Sequence, residues 1–337
     1  MNFKSQGRME TLLDIQNLSV AFDTDEGPLT AVDNVSFSIG RGEVLGLVGE
    51  SGCGKSVTAL SLLRLIPMPP GRIQSGKVIF DHRDLLRLPA SELHSIRGGQ
   101  ISMIFQEPAS ALSPLHRVGA QLVETLKLHQ TIDSREAWAT SVDWLRKVGI
   151  PDPDQRMQAY PFELSGGMIQ RVMIAMALMT QPALIIADEP TTALDVTIQA
   201  QVLQLLRDMR NQNASLLLIT HDLGVVWEMC DRVLVMYASQ IVEEGPRDEL
   251  FERPCHPYTR ALLGSVISLS RSGERLVTID GQVPSPLSYP AGCRFAPRCR
   301  YAFDRCRTGQ PPLESIAPNR RSACFLASSF AQEGFTP

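Results

Sequence analysis

The chain has no long basic run, and its 337 residues carry a formal charge of only −4. That argues against nucleic acid as the main partner. It also lacks an apolar run long enough to cross a bilayer. The richest stretch, Val172 to Ala187, is interrupted by Thr180, Gln181 and Pro182 and falls short of the roughly 20 residues that a helical span needs. It reads instead as a buried helix, a proline break and a buried strand. Met1 to Leu13 has no apolar core segment, so neither a signal peptide nor an anchor is expected there. Without a secretory signal, the seven cysteines do not suggest a disulfide framework. Four of them crowd the C-terminal end, where a metal or cluster site is the better expectation.

Hydrophobic residues make up 44% of the chain, enough for a packed core rather than a disordered chain. They are organised around Gly49-Glu50-Ser51-Gly52-Cys53-Gly54-Lys55-Ser56, the pattern GxxxxGK[ST]. Val44 to Val48 before it reads as a buried strand, and the segment from Val57 to Leu63 is compatible with a helix. Between them the glycines let the backbone turn its amides inward, making a concave anion site at a helix N-terminus. Lys55 would reach the β- and γ-phosphates of a nucleotide and the Ser56 hydroxyl would sit on Mg²⁺.

Further polar groups follow apolar strands. Leu12 to Phe22 and Ala31 to Ile39 alternate as strands, and Phe22 could stack on an adenine or sit in the core. Ile101 to Phe105 is a buried strand ending in Gln106, whose amide oxygen could coordinate Mg²⁺ or water. From Val118 to Val148 the apolar spacing becomes helical, which reads as an inserted helical subdomain. Ser165 is a good N-cap for a helix from Met168 to Met179, and Gly166 and Gly167 expose amides at its start. Leu184 to Ala187 ends in Asp188 and Glu189, two carboxylates at the sheet edge where α/β folds bind ligands. Asp188 would hold Mg²⁺ through its water shell and Glu189 would polarise the attacking water. Thr192 to Asp195 is a turn before the helix Ile198 to Met209, and Ala214 to Thr220 is a strand closing on His221, which could hydrogen-bond a γ-phosphate.

The order of Gly49–Ser56, Gln106, Leu164–Gln170, Leu184–Glu189, Ala193–Asp195 and His221 resembles the ATP-binding subunits of ABC transporters over about residues 10 to 245. Two departures are small: Phe22 stands where that family often has tyrosine, and Cys53 occupies a variable position. The resemblance implies an α/β fold: a RecA-like P-loop core, an antiparallel β edge subdomain, a helical subdomain at about 107–165 and a C-terminal cysteine-bearing extension. The nucleotide-binding domain would span 10–250 and the extension 251–330. The implied nucleotide contacts are Phe22, Gly49, Ser51, Gly52, Cys53, Gly54, Lys55, Ser56, Val57, Gln106, Asp188 and Asp195, with Ser165, Gly166 and Gly167 acting across a head-to-tail dimer. Glu189, His221 and Gln106 would be the catalytic groups, and Ser56, Gln106 and Asp188 the Mg²⁺ ligands. A nucleic-acid-linked ABC ATPase would want a long coiled-coil insertion or two nucleotide domains, and a P-loop GTPase a guanine-specific loop. The sequence has none of these.

His256-Pro257-Tyr258-Thr259 and the segment Gly292 to Cys299 resemble the tail of the oligopeptide/dipeptide importer ATPases. Cys293, Cys299, Cys306 and Cys324 are separated by five, six and seventeen residues. This spacing lacks the tight pair of zinc sites and the common ferredoxin patterns, leaving zinc, an iron–sulfur cluster and free thiols all open. The resemblance implies a [4Fe–4S] cluster held by the four thiolates, with Zn²⁺ as the alternative. The implied partners are a second, non-identical ATPase subunit, two transmembrane permease subunits and an extracytoplasmic peptide-binding protein, with no nucleic acid. The implied place is the cytoplasmic face of the inner membrane, as a peripheral subunit.

Overall fold

In a computed structural model, residues 10–108, 111–192, 194–265 and 279–333 are described. The chain divides into two units: Met1–Glu10, Gly40–Val44 and Arg87–Ile219 in the first, and Thr11–Ile39, Leu45–Leu86 and Thr220–Pro337 in the second.

In the first unit the strands Ile101–Ile104, Leu184–Asp188 and Ser215–Ile219 run parallel, with Ile101 opposite Leu184 and Asp188 opposite Ile219. All three are buried along their length. Their near-continuous apolar sequence is what a strand covered on both faces requires. The helical spacing after Val118 forms two helices, Val118–His129 and Ser134–Lys147, with Leu122, Leu126, Val142 and Leu145 buried. Asp133 starts the second helix by accepting from the amides of Arg135 and Glu136 at 2.8 and 2.9 Å, a side-chain cap. At Gly119 an added Cβ would meet the Met157 carbonyl oxygen at 2.7 Å, so the chain passes close to this helix there.

The second unit holds a four-stranded antiparallel sheet in the order Gly27–Gly40, Thr11–Thr24, Gly71–Phe80, Arg83–Asp84. Leu13 faces Phe80 and Ile15 faces Val78, which fixes the apolar side chains of Thr11–Thr24 on the buried face. This is the expected antiparallel β edge, with strands longer than the alternation alone marked. The P-loop strand Val44–Val48 pairs parallel with Arg232–Tyr237, which continues antiparallel into Gln240–Pro246.

Two short strands of the C-terminal segment, Arg320–Ser322 and Glu314–Ala317, add to the edge of Gln240–Pro246, with Glu243 opposite Ser322 and Glu244 opposite Arg321. Ion pairs close this edge. Glu244 lies between Arg232 and Arg321, and buried Glu243 pairs with Arg320 at 3.3 Å. No helix among the described residues is long and apolar enough to cross a membrane.

Candidate functional site

The P-loop leaves the strand Val44–Val48 and enters the helix Lys55–Leu62. Two glycines set its path. Gly49 has φ 154, and a Cβ there would lie 2.1 Å from the Met236 carbonyl oxygen. Gly54 has φ 106, and a Cβ would lie 2.2 Å from the Ala31 carbonyl oxygen. Neither position can take a side chain without moving backbone. Gly54 is also the N-cap, so no side chain caps the helix and no acidic residue occupies its first turn. The first-turn amides are therefore left for an anionic ligand.

Lys55 is 7% exposed, and its Nζ donates to the carbonyls of Gly49 and Glu50, both at 2.9 Å. The Cys53 sulfur lies 3.8 Å from the same nitrogen. Burial pushes the Cys53 thiol up, against the opposing pull of Lys55, so a neutral thiol stands beside the ammonium. Ser51 and Gly52 are exposed, and Ser56 and Val57 are half-buried. This donor set fits a nucleotide polyphosphate and its Mg²⁺: a cationic head, a hydroxyl and a glycine-lined backbone nest. Phe22 is half-buried in the same unit, its ring 3.0 Å from the Cβ position of Gly71.

In the first unit, Gln106 and Glu189 each lie two residues beyond Ile104 and Ala187, which are opposite one another in parallel strands. Both residues therefore emerge at the same sheet edge. Asp188 is buried at 2% exposure, Glu189 is half-buried and Gln106 is exposed. Glu189 has φ 47, a left-handed backbone rare outside glycine and asparagine. It is held there by its own amide, which donates to the Ile219 carbonyl at 2.9 Å. Its carboxylate accepts from the Thr192 hydroxyl at 3.0 Å.

Ser165 caps the helix Gly166–Leu178 by accepting from the Met168 amide at 3.3 Å. Gly166 is exposed and Gly167 half-buried. From that helix, Gln170 donates to the Pro190 carbonyl at 2.5 Å, tying the segment Leu164–Gln170 to the chain just after Glu189. Asp195 caps the helix Val196–Asn211 through the Ile198 amide at 3.0 Å, a structural duty the sequence pattern did not separate from a nucleotide contact. Ala193 lies outside the described residues. His221, in the second unit, is exposed two residues beyond the end of the strand Ser215–Ile219.

One set of contacts was missed in sequence reasoning. The Glu50 amide donates to the Tyr258 hydroxyl at 2.8 Å. Its carboxylate takes both oxygens to Nη1 of Arg298, at 3.0 and 3.1 Å. Tyr258, Tyr237 and Phe295 pack edge to face or tilted, with ring centroids 4.6 to 5.5 Å apart. Tyr258 and Arg298 stand inside the two tail motifs, but a contact across more than 200 positions leaves no local signal.

The four tail cysteines require a correction. Cys293, Cys299, Cys306 and Cys324 line one cavity together with His256 and Phe295, but the enclosed space is about 20 Å³, room for roughly one water. Among the described residues, no group of three or more His, Cys, Asp or Glu side chains could hold a metal ion. Burial pushes the thiols of Cys293 and Cys299 up, and that of Cys324 to about 12, so the unliganded thiols stay neutral. The neighbouring cations are engaged elsewhere: Arg298 with Glu50, Arg294 with Asp33, and Arg300 and Arg305 over the rings of Tyr301 and Phe325. The expected [4Fe–4S] cluster and its zinc alternative are both withdrawn, and the site does not fit either group.

Residues 32–192 match the family model described as "ABC transporter", and residues 242–306 match "Oligopeptide/dipeptide transporter, C-terminal region". The chain is 48% identical to the oligopeptide transport ATP-binding protein AppD of Bacillus subtilis, over 97% of this chain and 99% of the relative. It is 48% identical to the oligopeptide transport ATP-binding protein OppD of Escherichia coli, over 95% of each. It is 47% identical to the dipeptide transport ATP-binding protein DppD of the same organism, over 93% of this chain and 96% of the relative. Among solved structures it resembles a dimeric, post-hydrolysis state of the ATP-binding cassette MJ0796 bound to ADP and Pi. The TM-score is 0.64 at 26% identity, over 70% of this chain and 98% of that one.

Proposed function

This chain belongs to the ATP-binding subunits of ABC transporters, within the group carrying the oligopeptide/dipeptide C-terminal region, and from that premise we propose that it hydrolyses ATP to power peptide import. The observation that carries the reading is the co-occurrence, in one chain, of the uncapped glycine-lined P-loop and the tail matched by the oligopeptide/dipeptide model. The nucleotide-binding segment is assigned to 10–250, with its helical subdomain at about 107–165, and the extension to 251–330.

Lys55 leaves the carbonyls of Gly49 and Glu50, which it holds at 2.9 Å, and places its charge on phosphate oxygens. The loop amides of Gly49 and of Ser51 to Val57 take the rest of that charge. The hydroxyl of Ser56, the amide of Gln106 and the carboxylate of Asp188 would hold Mg²⁺, which when bound neutralises charge developing between the β- and γ-phosphates. Glu189 accepts hydrogen-bonding protons of the attacking water, polarising it, and His221 donates to the γ-phosphate. Phe22 supplies the ring that stacks on the base.

Subunits of this family act as dimers on permease subunits. The finer arrangement is that Ser165, Gly166 and Gly167 of one ATPase close over nucleotide held by the other, with Asp195 as a further nucleotide contact. The cassette MJ0796, solved as a dimer with ADP and Pi, supports this arrangement. The second ATPase is proposed to be a non-identical paralogue, and the assembly to include an extracytoplasmic peptide-binding protein. The chain's place is the cytoplasmic face of the inner membrane.

The test is reconstitution of the chain with its permease, the second ATPase and the peptide-binding protein, in vesicles loaded with the binding protein and labelled di- and oligopeptides. ATP hydrolysis coupled to peptide movement is expected. ATP hydrolysis that no peptide stimulates, with no peptide transported, would remove the substrate class.

A further inference from the structure

Glu50 sits at the second position of the P-loop, and each of its three polar groups is assigned. Its carbonyl accepts from Lys55, its amide donates to Tyr258, and its carboxylate meets Arg298. Arg298 in turn is fixed on every side. Its Nε donates to the Asp280 carbonyl at 2.9 Å, Nη2 to the Ile279 carbonyl at 3.2 Å and Nη1 to the Tyr237 hydroxyl at 3.4 Å. The guanidinium is 5% exposed and the Glu50 side chain 28%. All these residues belong to the second unit.

A carboxylate at this position is electrostatically wrong for a polyphosphate. Lys55 and the helix N-terminus supply positive potential, and a bare Glu50 beside them would cancel part of it. Arg298 is buried, but Glu50 is 28% exposed, so without its partner the carboxylate would act on phosphate through solvent that salt can screen.

We propose that Arg298 is a positioning residue for the P-loop: reaching in from the C-terminal segment, it neutralises Glu50 so that nucleotide phosphate meets an uncancelled positive cradle. The proposal rests on the ATP-binding reading above. It gives the tail a part in nucleotide affinity that needs no metal. The bond pattern fits such a role, because the same residue that Lys55 must release on binding is the one that Arg298 and Tyr258 hold in place.

The test is equilibrium binding of Mg-ATP to the full chain at about 50 mM and about 500 mM KCl, chosen to span the range of charge screening. Arg298→Ala should weaken binding about tenfold at low salt and only about threefold at high salt. Arg298→Lys, which keeps the charge, should stay within about threefold of the wild type. Glu50→Gln alone should bind ATP at least as tightly as the wild type, and Arg298→Ala with Glu50→Gln should recover most of the tenfold loss.

A merely structural ion pair would give the opposite pattern, with both single variants weakened and the double variant no better. That result, or a salt-independent defect, overturns the proposal, as does unchanged binding by Arg298→Ala. If Arg298→Ala does not accumulate, Arg298→Gln carries the same comparison with most of the side-chain volume kept. A wild-type chain that binds no ATP would sink the functional reading itself. A wild type that binds ATP, with an indifferent Arg298→Ala, sinks only this inference.

Discussion

Acid should weaken this protein in part through one imidazole. His256 is buried, caps the helix Pro257–Gly264 and accepts the Tyr258 amide on Nδ1 at 3.0 Å. The Ala323 backbone beside the ring pulls the other way, favouring the protonated form, but less strongly than burial opposes it. The Tyr258 bond fixes the neutral tautomer, since a proton on Nδ1 would face a donor rather than an acceptor. Burial accordingly pushes its pKa from 6.5 down to about 3.

Below pH 6.5 the unfolded chain takes up a proton that the native chain refuses, so stability rises with pH in this window. The contribution is fully present above 6.5 and is lost as pH falls towards 3. Each pH unit removes up to about 1.4 kcal/mol, about 5 kcal/mol over the whole interval. That is comparable with the entire stability of many domains, roughly 5–15 kcal/mol. His256→Asn keeps a good N-cap and cannot titrate. Urea unfolding from pH 7 to 4.5 should show the wild type losing stability more steeply than His256→Asn, with every other titrating group common to both. Parallel pH profiles would refute the reasoning.

Other outcomes follow from the nucleotide residues. Glu189→Gln should retain ATP binding while turnover falls by at least about a hundredfold, and steady-state hydrolysis within a few-fold of wild type would remove Glu189 from its role. Lys55→Ala should weaken nucleotide binding itself, whereas Ser165→Arg should spare binding and block ATP-dependent dimer formation. Binding isotherms and light scattering separate the two steps. Gly54→Ala places a methyl 2.2 Å from the Ala31 carbonyl on a backbone L-residues disfavour. It should therefore abolish ATP binding and lower the melting temperature, and normal ATP affinity would show that the loop can move aside.

The P-loop, the parallel strands and the helical subdomain were legible because each is encoded locally. Val44–Val48 is apolar throughout and buried throughout, and Gly49 and Gly54 mark the turns where backbone crowds backbone. Asp195 shows where pattern reading stops. The same residue can be a helix cap or a ligand contact, and only its bond to the Ile198 amide reveals the first duty. The cysteines misled for a related reason. Four thiols close in sequence suggest a shared ligand, and they do line one cavity, but no group among the described residues is arranged to hold a metal ion, a geometry that spacing does not encode. The Glu50–Arg298 pair spans 248 positions and depends wholly on tertiary packing.

The small strand Arg320–Ser322 that the tail lays along Gln240–Pro246, itself edged by Glu314–Ala317, bears on how such cassettes can be recombined. With Arg320–Ser322 removed, Gln240–Pro246 would present an open row of backbone donors and acceptors, and Glu243 would keep a buried carboxylate without Arg320. A chimera joining the front of one relative to the tail of another must therefore match at this seam, residue against residue. The smallest heritable module is not the nucleotide cassette alone but the cassette together with the hem that finishes its sheet.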